Sequence, residues 1–216
     1  MHDQAHRPDN ARLLILILAG GEGDRIGGEK PFQHLGGSRL IDHALSCARQ
    51  YGDEIAVSVR QHGQIETELP AIVDAPELQG PLAGLTSGLA EARAKGMGHL
   101  LLLPTDTPFL PADLLEKLAL ALRRAPQSRA ALARSNGRIH PVCSLWRSDI
   151  GDALSDYSAT GRRSLIGFAE AVGFVCADWE ETPDPFFNVN TGQDLEVARQ
   201  RLVAQNGNTT TSSPEA

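Results

Sequence analysis

The sequence is poor in cysteine, and its few thiols form no recognisable pair. Only three of the 216 residues are cysteines, at Cys47, Cys143 and Cys176, with no CxxC motif among them. An odd number of widely separated thiols indicates neither a disulfide framework nor a zinc site. Because this pattern is typical of a protein from a reducing compartment, we expect a cytoplasmic location.

Long hydrophobic runs are also missing. No apolar stretch approaches the roughly 20 residues that a transmembrane helix needs, which argues against a membrane span. The aliphatic run Leu13–Leu18 is preceded by residues of mixed charge and followed by a glycine-rich segment, unlike the core of a signal peptide. A buried β-strand is the better interpretation of this run.

The chain has no excess of positive charge. It carries 27 acidic and 20 basic residues, which gives a formal net charge of −7. Broad nucleic-acid binding needs a dominant basic face, so we expect no nucleic-acid partner. A polyanionic ligand would have to be held by a local group of cations or by a metal ion.

Strand-like and helix-like patterns alternate between two polar ends, residues 1–10 and 205–216, which we expect to be disordered. The predicted strands are Leu13–Leu18, Ile55–Val59, Ala71–Val73, His99–Leu103, Ala130–Ala133, Ile139–Trp146 and Gly173–Ala177. The turn Ser135-Asn136-Gly137 would join the fifth and sixth of these as a hairpin. The predicted helices are Leu40–Arg49, Leu82–Lys95, Pro111–Arg124, Asp149–Asp156, Arg162–Ala171 and Gly192–Val203. We therefore predict one α/β domain over residues 11–204, with a mostly parallel, partly mixed sheet.

A glycine-rich loop follows the first predicted strand. Residues 18–31 read LAGGEGDRIGGEKP, so five glycines are combined with the cations Arg25 and Lys30. Such glycines present backbone N–H groups to a ligand, and this predicts a phosphate-binding loop. It is not a P-loop, because Pro31 stands where Ser or Thr should follow the lysine. The alternative is a glycine turn with two solvated cations.

Two aspartates follow predicted strands. Asp106 lies between two prolines in the string PTDTP, directly after the strand His99–Leu103. A carboxylate held there could bind the magnesium ion of a nucleotide, or it could cap its own turn. Asp74 follows the strand Ala71–Val73 and could accept from the N1–H and 2-amino groups of guanine. A solvated loop residue is the alternative for Asp74.

Two asparagines stand before the last predicted helix. Asn188 and Asn190 alternate with Val189, so both would face one side of an extended segment. Their amides suit the edge of a pterin, which offers donors and acceptors together. Alternatively, they fix the turn before the helix, where Thr191 is a candidate N-cap with Asp194 at the third helical position.

In this order, these segments resemble the molybdenum cofactor guanylyltransferase family of nucleotidyltransferases. The resemblance rests on LAGGEGDRIGGEKP, VDAPELQGPLAGL, LLLPTDTPFLPADLL, FFNVNTGQDLEVAR and the weaker HPVCSLW. It implies the Rossmann-like, three-layer fold of nucleotide-diphospho-sugar transferases. It also implies transfer of GMP from Mg·GTP to molybdenum-loaded molybdopterin, with release of pyrophosphate.

The resemblance assigns roles by position along the chain. It implies that GTP is contacted by Leu18, Ala19, Gly20, Gly21, Lys30, Asp74 and Asp106. Asp106 would bind the Mg²⁺ cofactor. The Mg²⁺ ion, Lys30 and Arg25 would offset the repulsion between the two anionic substrates. Molybdopterin would be contacted by Asn188, Asn190, Arg162 and Arg163.

Two other functions fit the same motifs. One is a related nucleotidyltransferase that uses CTP or a sugar phosphate. The other is a non-catalytic GTP-binding adaptor that delivers the cofactor. For the guanylyltransferase we also expect transient contact with cofactor-insertion proteins or with recipient apo-enzymes.

Overall fold

A computed structural model describes residues 12–19 and 30–209 of the chain. The strands are β1 (Leu13–Leu18), β2 (His34–Leu35), β3 (Ser38–Arg39), β4 (Ile55–Val59), β5 (Ala71–Val73), β6 (His99–Pro104), β7 (Ala130–Ser135), β8 (Arg138–Arg147) and β9 (Phe174–Trp179). The helices are α1 (Leu40–Tyr51), α2 (Pro81–Ala94), α3 (Leu114–Arg124), α4 (Gly151–Ala159), α5 (Leu165–Val172) and α6 (Gly192–Thr209). Within the two described ranges, no helix is long and apolar enough to cross a membrane.

Seven strands form one sheet in the order β5-β4-β1-β6-β8-β7-β9, while β2 and β3 form a separate hairpin. Six of the seven strands run parallel, and β8 is antiparallel to both of its neighbours. From β1 the chain continues to β4 on one side, and after α2 it crosses to β6 on the other side. The strand order therefore reverses between β1 and β6, which is where α/β sheets bind their ligands.

Helices cover both faces of the sheet. On one face, α1 and α3 pack on the sheet through buried residues such as Ile41 and Leu118. On the other face, α2, α4 and α5 pack through residues such as Leu85, Leu154 and Phe168. This burial on both sides explains why the central strands are continuously aliphatic. The predicted three-layer fold with a mixed sheet is confirmed.

The predicted strands and the β7–β8 turn are all present, with small differences at their ends. Asn136 and Gly137 both have positive φ, at 48° and 77°, as a two-residue type I′ hairpin requires. The predicted helices differ more at their starts. Helix α5 begins at Leu165 instead of Arg162, because the Ser164 hydroxyl accepts from the Gly167 N–H (3.2 Å) and fixes the N-terminus there.

The start of α3 was also predicted too early. It begins at Leu114, since Pro111–Asp113 forms a turn before it. The Asp113 carboxylate accepts from Trp179 Nε1 (2.9 Å) and pairs with Lys117 Nζ (3.0 Å), so it ties the turn to β9. Helix α4 is likewise preceded by a 3₁₀ turn, at Ser148–Ile150.

Helix α6 continues to Thr209, so the predicted helix end at Val203 and the predicted disorder of residues 205–209 were wrong. The last turns of α6 have no apolar period, and Val203 itself is 72% exposed. The helix is anchored earlier, where Leu195 and Ala198 pack against Leu35 of β2. The expected disorder of residues 1–10 and 210–216 lies outside the described residues.

Candidate functional site

The ends of β1 and β6 meet at the point where the strand order reverses. Leu18 pairs with Pro104, and the Thr105 hydroxyl donates to the Leu18 carbonyl at 3.3 Å. The Ala19 N–H donates to the Ser58 carbonyl (3.1 Å), so its backbone donor is already used. The start of the glycine-rich loop is therefore fixed next to the segment that carries Asp106.

The residues predicted to bind phosphate after Ala19 lie outside the described residues or at their boundary. Gly20, Gly21 and Arg25 lie outside the described residues. Of Lys30, only the backbone is described, at the start of a short 3₁₀ turn that ends at Phe32. Their assignment to the nucleotide phosphates stays a prediction.

Asp106 is held at the carboxyl end of β6 by contacts on both sides. The Thr107 hydroxyl lies 3.2 Å from Asp106 Oδ1, and the Asp106 carbonyl accepts from the Val189 N–H at 2.8 Å. In the part of the chain that the structure describes, no group of three His, Cys, Asp or Glu side chains could hold a metal alone. A magnesium ion carried by nucleotide phosphates needs only one or two protein carboxylates, so Asp106 fits that role.

Asp74 lies in a cleft of about 500 Å³, between β4, β5 and the start of α2. The Ser58 hydroxyl donates to Asp74 Oδ1, and the Asp74 N–H donates to the Val59 carbonyl at 2.8 Å. Burial raises the pKa of Asp74, whereas the Ser58 hydrogen bond and the charge of Arg60 lower it. Arg60 lines the same cleft, which has the size of an ordinary small-molecule site.

Helix α2 passes very close to Asp74 because residue 84 is a glycine. A Cβ at Gly84 would lie 2.6 Å from Ser58 Oγ, 2.5 Å from Leu18 Cδ2 and 3.3 Å from Asp74 Oδ1. No side chain fits at such distances unless its neighbours move. Gly84 therefore keeps the Ser58–Asp74 hydrogen bond intact at the inner wall of the cleft.

We expect Gly84→Ala to destabilise the fold by about 1–3 kcal/mol through overpacking and to weaken nucleotide binding about tenfold. The added methyl group must displace the Ser58 hydroxyl from Asp74. Thermal unfolding and the KM for the nucleotide check the two effects. Gly88→Ala is the matched control, because its Cβ would lie 2.5 Å from Leu16 Cδ2 and 3.1 Å from Leu100 Cδ2, so its nearest neighbours are aliphatic. An equal rise of KM in both variants would contradict the explanation.

Asn188 lies next to Thr107, the residue that follows Asp106. Its Oδ1 accepts from the Thr107 hydroxyl at 2.8 Å. Asn190 lies two residues closer to α6, and its N–H donates to Asp194 Oδ2 at 3.0 Å. Thr191 Oγ1 accepts from the Asp194 N–H (3.1 Å), so the predicted N-cap is confirmed.

Arg162 and Arg163 lie in the turn between α4 and α5 and make local contacts. The Arg162 guanidinium stacks 4.9 Å above the Tyr157 ring, and Arg163 Nη1 donates to the Ser158 carbonyl at 2.9 Å. Both contacts are made within the turn and the helix that precedes it.

Sequence reasoning missed four residues of this site. Gly84 and Thr107 lie inside the quoted motifs, Ser58 lies in the predicted strand Ile55–Val59 and Arg60 follows it, yet none of them was assigned a role. Two of them carried a signal in the sequence. Ser58 is a polar residue in an otherwise aliphatic strand, and Thr107 directly follows Asp106.

Comparison with known proteins places these motifs in a described family. Residues 15–172 match the family described as the MobA-like NTP transferase domain. The chain is 39% identical to the molybdenum cofactor guanylyltransferase of Rhodobacter capsulatus and 36% identical to that of Cereibacter sphaeroides. Each alignment spans 194 residues, 88% of this chain and 97% of the relative.

A solved structure has the same architecture. The molybdopterin-guanine dinucleotide biosynthesis protein A of Archaeoglobus fulgidus superposes with a TM-score of 0.74 at 23% identity. The superposition covers 88% of this chain and 98% of that protein. At this level of identity the likeness concerns the fold.

Proposed function

The chain belongs to the family of MobA-like NTP transferase domains, and from this we propose that it transfers GMP from GTP to molybdenum-loaded molybdopterin. The product would be the guanine dinucleotide form of the molybdenum cofactor, released together with pyrophosphate. The observation that carries this proposal is the position of Asp106, which lies between the end of β1 and Asn188. The Asp106 carboxylate is thus next to both the segment predicted to bind the nucleotide and the segment predicted to bind molybdopterin.

The cleft around Asp74 supports guanine as the base. A half-buried carboxylate accepts well from the paired N1–H and 2-amino donors of guanine. Arg60, on the same cleft, carries donors that suit the O6 and N7 acceptors of guanine. Cytosine and adenine do not present this combination of paired donors and neighbouring acceptors.

The reaction depends on alignment and charge more than on a base. The attacking phosphate oxygen of molybdopterin is already an anion, so no side chain must remove a proton from it. Two anionic substrates must be brought together, and the cations Lys30 and Arg25 would offset their repulsion. Magnesium, which nucleotidyltransferases generally use, would supply further positive charge when held by Asp106 and the nucleotide phosphates.

Pyrophosphate release from GTP, CTP and ATP, each with molybdenum-loaded molybdopterin and Mg²⁺, tests the proposal. We expect release from GTP, with CTP and ATP slower by a factor of about 100, because neither base has the two adjacent donors that guanine offers to the two oxygens of Asp74. Preferred use of CTP would indicate the related cytidylyl transfer instead. GTP binding without pyrophosphate release would indicate a delivery adaptor.

The same proposal includes the cellular compartment of the reaction and the delivery of its product. Cys47, Cys143 and Cys176 are free thiols in the structure, which agrees with a reducing cytoplasm. There the labile product would pass to insertion proteins or recipient apo-enzymes by transient contact. Co-purification of the dinucleotide product with such a protein would test this step.

A further inference from the structure

We propose that Thr107 is a positioning residue that fixes the Asn188 amide, so that its N–H donors hold the terminal phosphate of the acceptor beside Asp106. This inference rests on the proposed function, which supplies the acceptor. It concerns Thr107 and the orientation of Asn188, which no motif assigned.

The hydroxyl of Thr107 lies between the two side chains that it would connect. Thr107 is 1% exposed, and its Oγ1 lies 2.8 Å from Asn188 Oδ1 and 3.2 Å from Asp106 Oδ1. A second link joins the same two segments, since the Val189 N–H donates to the Asp106 carbonyl at 2.8 Å. The loop that carries Asn188 is thereby docked on the end of β6 by buried polar contacts.

The single proton of the hydroxyl determines how the amide is turned. Thr107 has one hydrogen to donate, and the nearer acceptor is Asn188 Oδ1. With its oxygen bound there, the amide offers a substrate its two N–H donors, which lie on the other branch of the group. N–H donors suit an anionic phosphate oxygen.

The distance from Asp106 indicates which part of the acceptor Asn188 would meet. Asn188 Oδ1 is linked to Asp106 Oδ1 through one hydroxyl, by contacts of 2.8 Å and 3.2 Å. If Asp106 binds the metal at the nucleotide phosphates, a group so close to it faces the attacking phosphate. The pterin ring would extend further along the loop, toward Asn190.

Thr105 offers a matched comparison on the opposite side of Asp106. Its hydroxyl donates to the Leu18 carbonyl at 3.3 Å, which is on the nucleotide side of the site, and it is 6% exposed. The two threonines have the same chemistry and similar burial but different partners. Only the loss of the Thr107 hydroxyl should release the Asn188 amide.

The test measures binding and turnover separately in Thr107→Val, Thr107→Ser and Thr105→Val. Molybdopterin binding is followed under anaerobic conditions by pterin fluorescence, and GTP binding by calorimetry. Thr107→Val should weaken molybdopterin binding about tenfold, which equals about 1.4 kcal/mol, and leave GTP binding within about twofold. Thr107→Ser should restore molybdopterin binding, and Thr105→Val should leave it unchanged.

Asn188→Asp provides a second test that keeps Thr107 in place. Its carboxylate can still accept from the Thr107 hydroxyl, but it lacks the N–H donors and repels a phosphate. Molybdopterin binding should therefore fall at least as far as in Thr107→Val. In a variant with both Thr107→Val and Asn188→Asp, the losses should be clearly less than additive, because the two residues act as one unit.

The outcomes separate this inference from the proposed function. A wild-type protein that releases no pyrophosphate from GTP would overturn the proposed function. A wild-type protein that transfers GMP, but binds molybdopterin as tightly after Thr107→Val or Asn188→Asp, would overturn the role of Thr107 alone. Equal losses of GTP and molybdopterin binding in Thr107→Val would also overturn it, since they would indicate a general structural effect.

Discussion

Replacing Asp106 by asparagine should reduce GMP transfer about a thousandfold while the fold stays intact. The substitution keeps the shape of the side chain but removes the charge that would hold Mg²⁺ next to the nucleotide phosphates. Removal of a single electrostatic group at a reacting centre costs about 100- to 1,000-fold in turnover, and a metal ligand belongs at the upper end. The Thr107 hydroxyl donates to Asn188, and the Val189 N–H donates to the backbone carbonyl of residue 106, so the loop that carries Asn188 should stay docked.

The measurement is pyrophosphate release at increasing Mg²⁺, together with thermal unfolding. Asp113→Asn is the matched control, since Asp113 lies seven residues further along and its carboxylate serves Trp179 and Lys117 in the fold. That variant should lose some stability and keep its turnover. Near-normal turnover of Asp106→Asn in saturating Mg²⁺ would show that the carboxylate does not hold the metal.

Asp74→Asn should lower kcat/KM for GTP by about 10- to 100-fold and reduce the discrimination against inosine triphosphate, which lacks the 2-amino group. A carboxylate can accept from both donors of guanine, whereas an amide offers one acceptor and one donor that clashes with the base. A well-formed pair of hydrogen bonds to a base contributes about 1–3 kcal/mol to discrimination, which sets this range. Competition between the two nucleotides measures the ratio directly.

The pH profile of GTP binding is the control for this substitution. Since burial raises the pKa of Asp74, its carboxyl takes up a proton at a higher pH than an ordinary aspartate. GTP binding should therefore weaken as pH falls through that raised pKa, and Asp74→Asn should lose this dependence. The stability of the fold changes in the opposite direction. Above the raised pKa the half-buried carboxyl of Asp74 is ionised, which lowers the free energy of unfolding, and its protonation at lower pH removes this loss. A wild-type profile without this acidic limb would contradict the assignment of Asp74 to the base.

The sequence was most informative where burial or backbone chemistry dictates a local pattern. The fully covered strands β1 and β6 are continuously aliphatic, so their positions could be predicted within a residue. Asp106 could be predicted as a site residue because it directly follows such a strand between two prolines. The hairpin turn at Asn136 and Gly137 could be predicted because few other residues adopt its positive φ angles.

Contacts between distant segments could not be predicted in this way. The hydrogen bond from Thr107 to Asn188 spans 81 positions, and the one from Ser58 to Asp74 depends on how two strands align. Neither contact produces a periodicity in the chain. The end of α6 was missed for a related reason, because residues 203–205 are exposed and the sequence there has no apolar stripe that would indicate a helix.

Strand β9 lies at the outer edge of the sheet, and this position affects how selectivity for the nucleotide and selectivity for the acceptor can change. Three strand positions separate β9 from β6, about 14 Å at the usual spacing, and residues 180–191 cross this gap to reach Asp106. The residues that we propose for the base, Asp74 and Arg60, lie by contrast in the first half of the chain. Lengthening or shortening that crossing segment would remodel the acceptor half alone, so recognition of the donor and recognition of the acceptor can diverge independently in evolution.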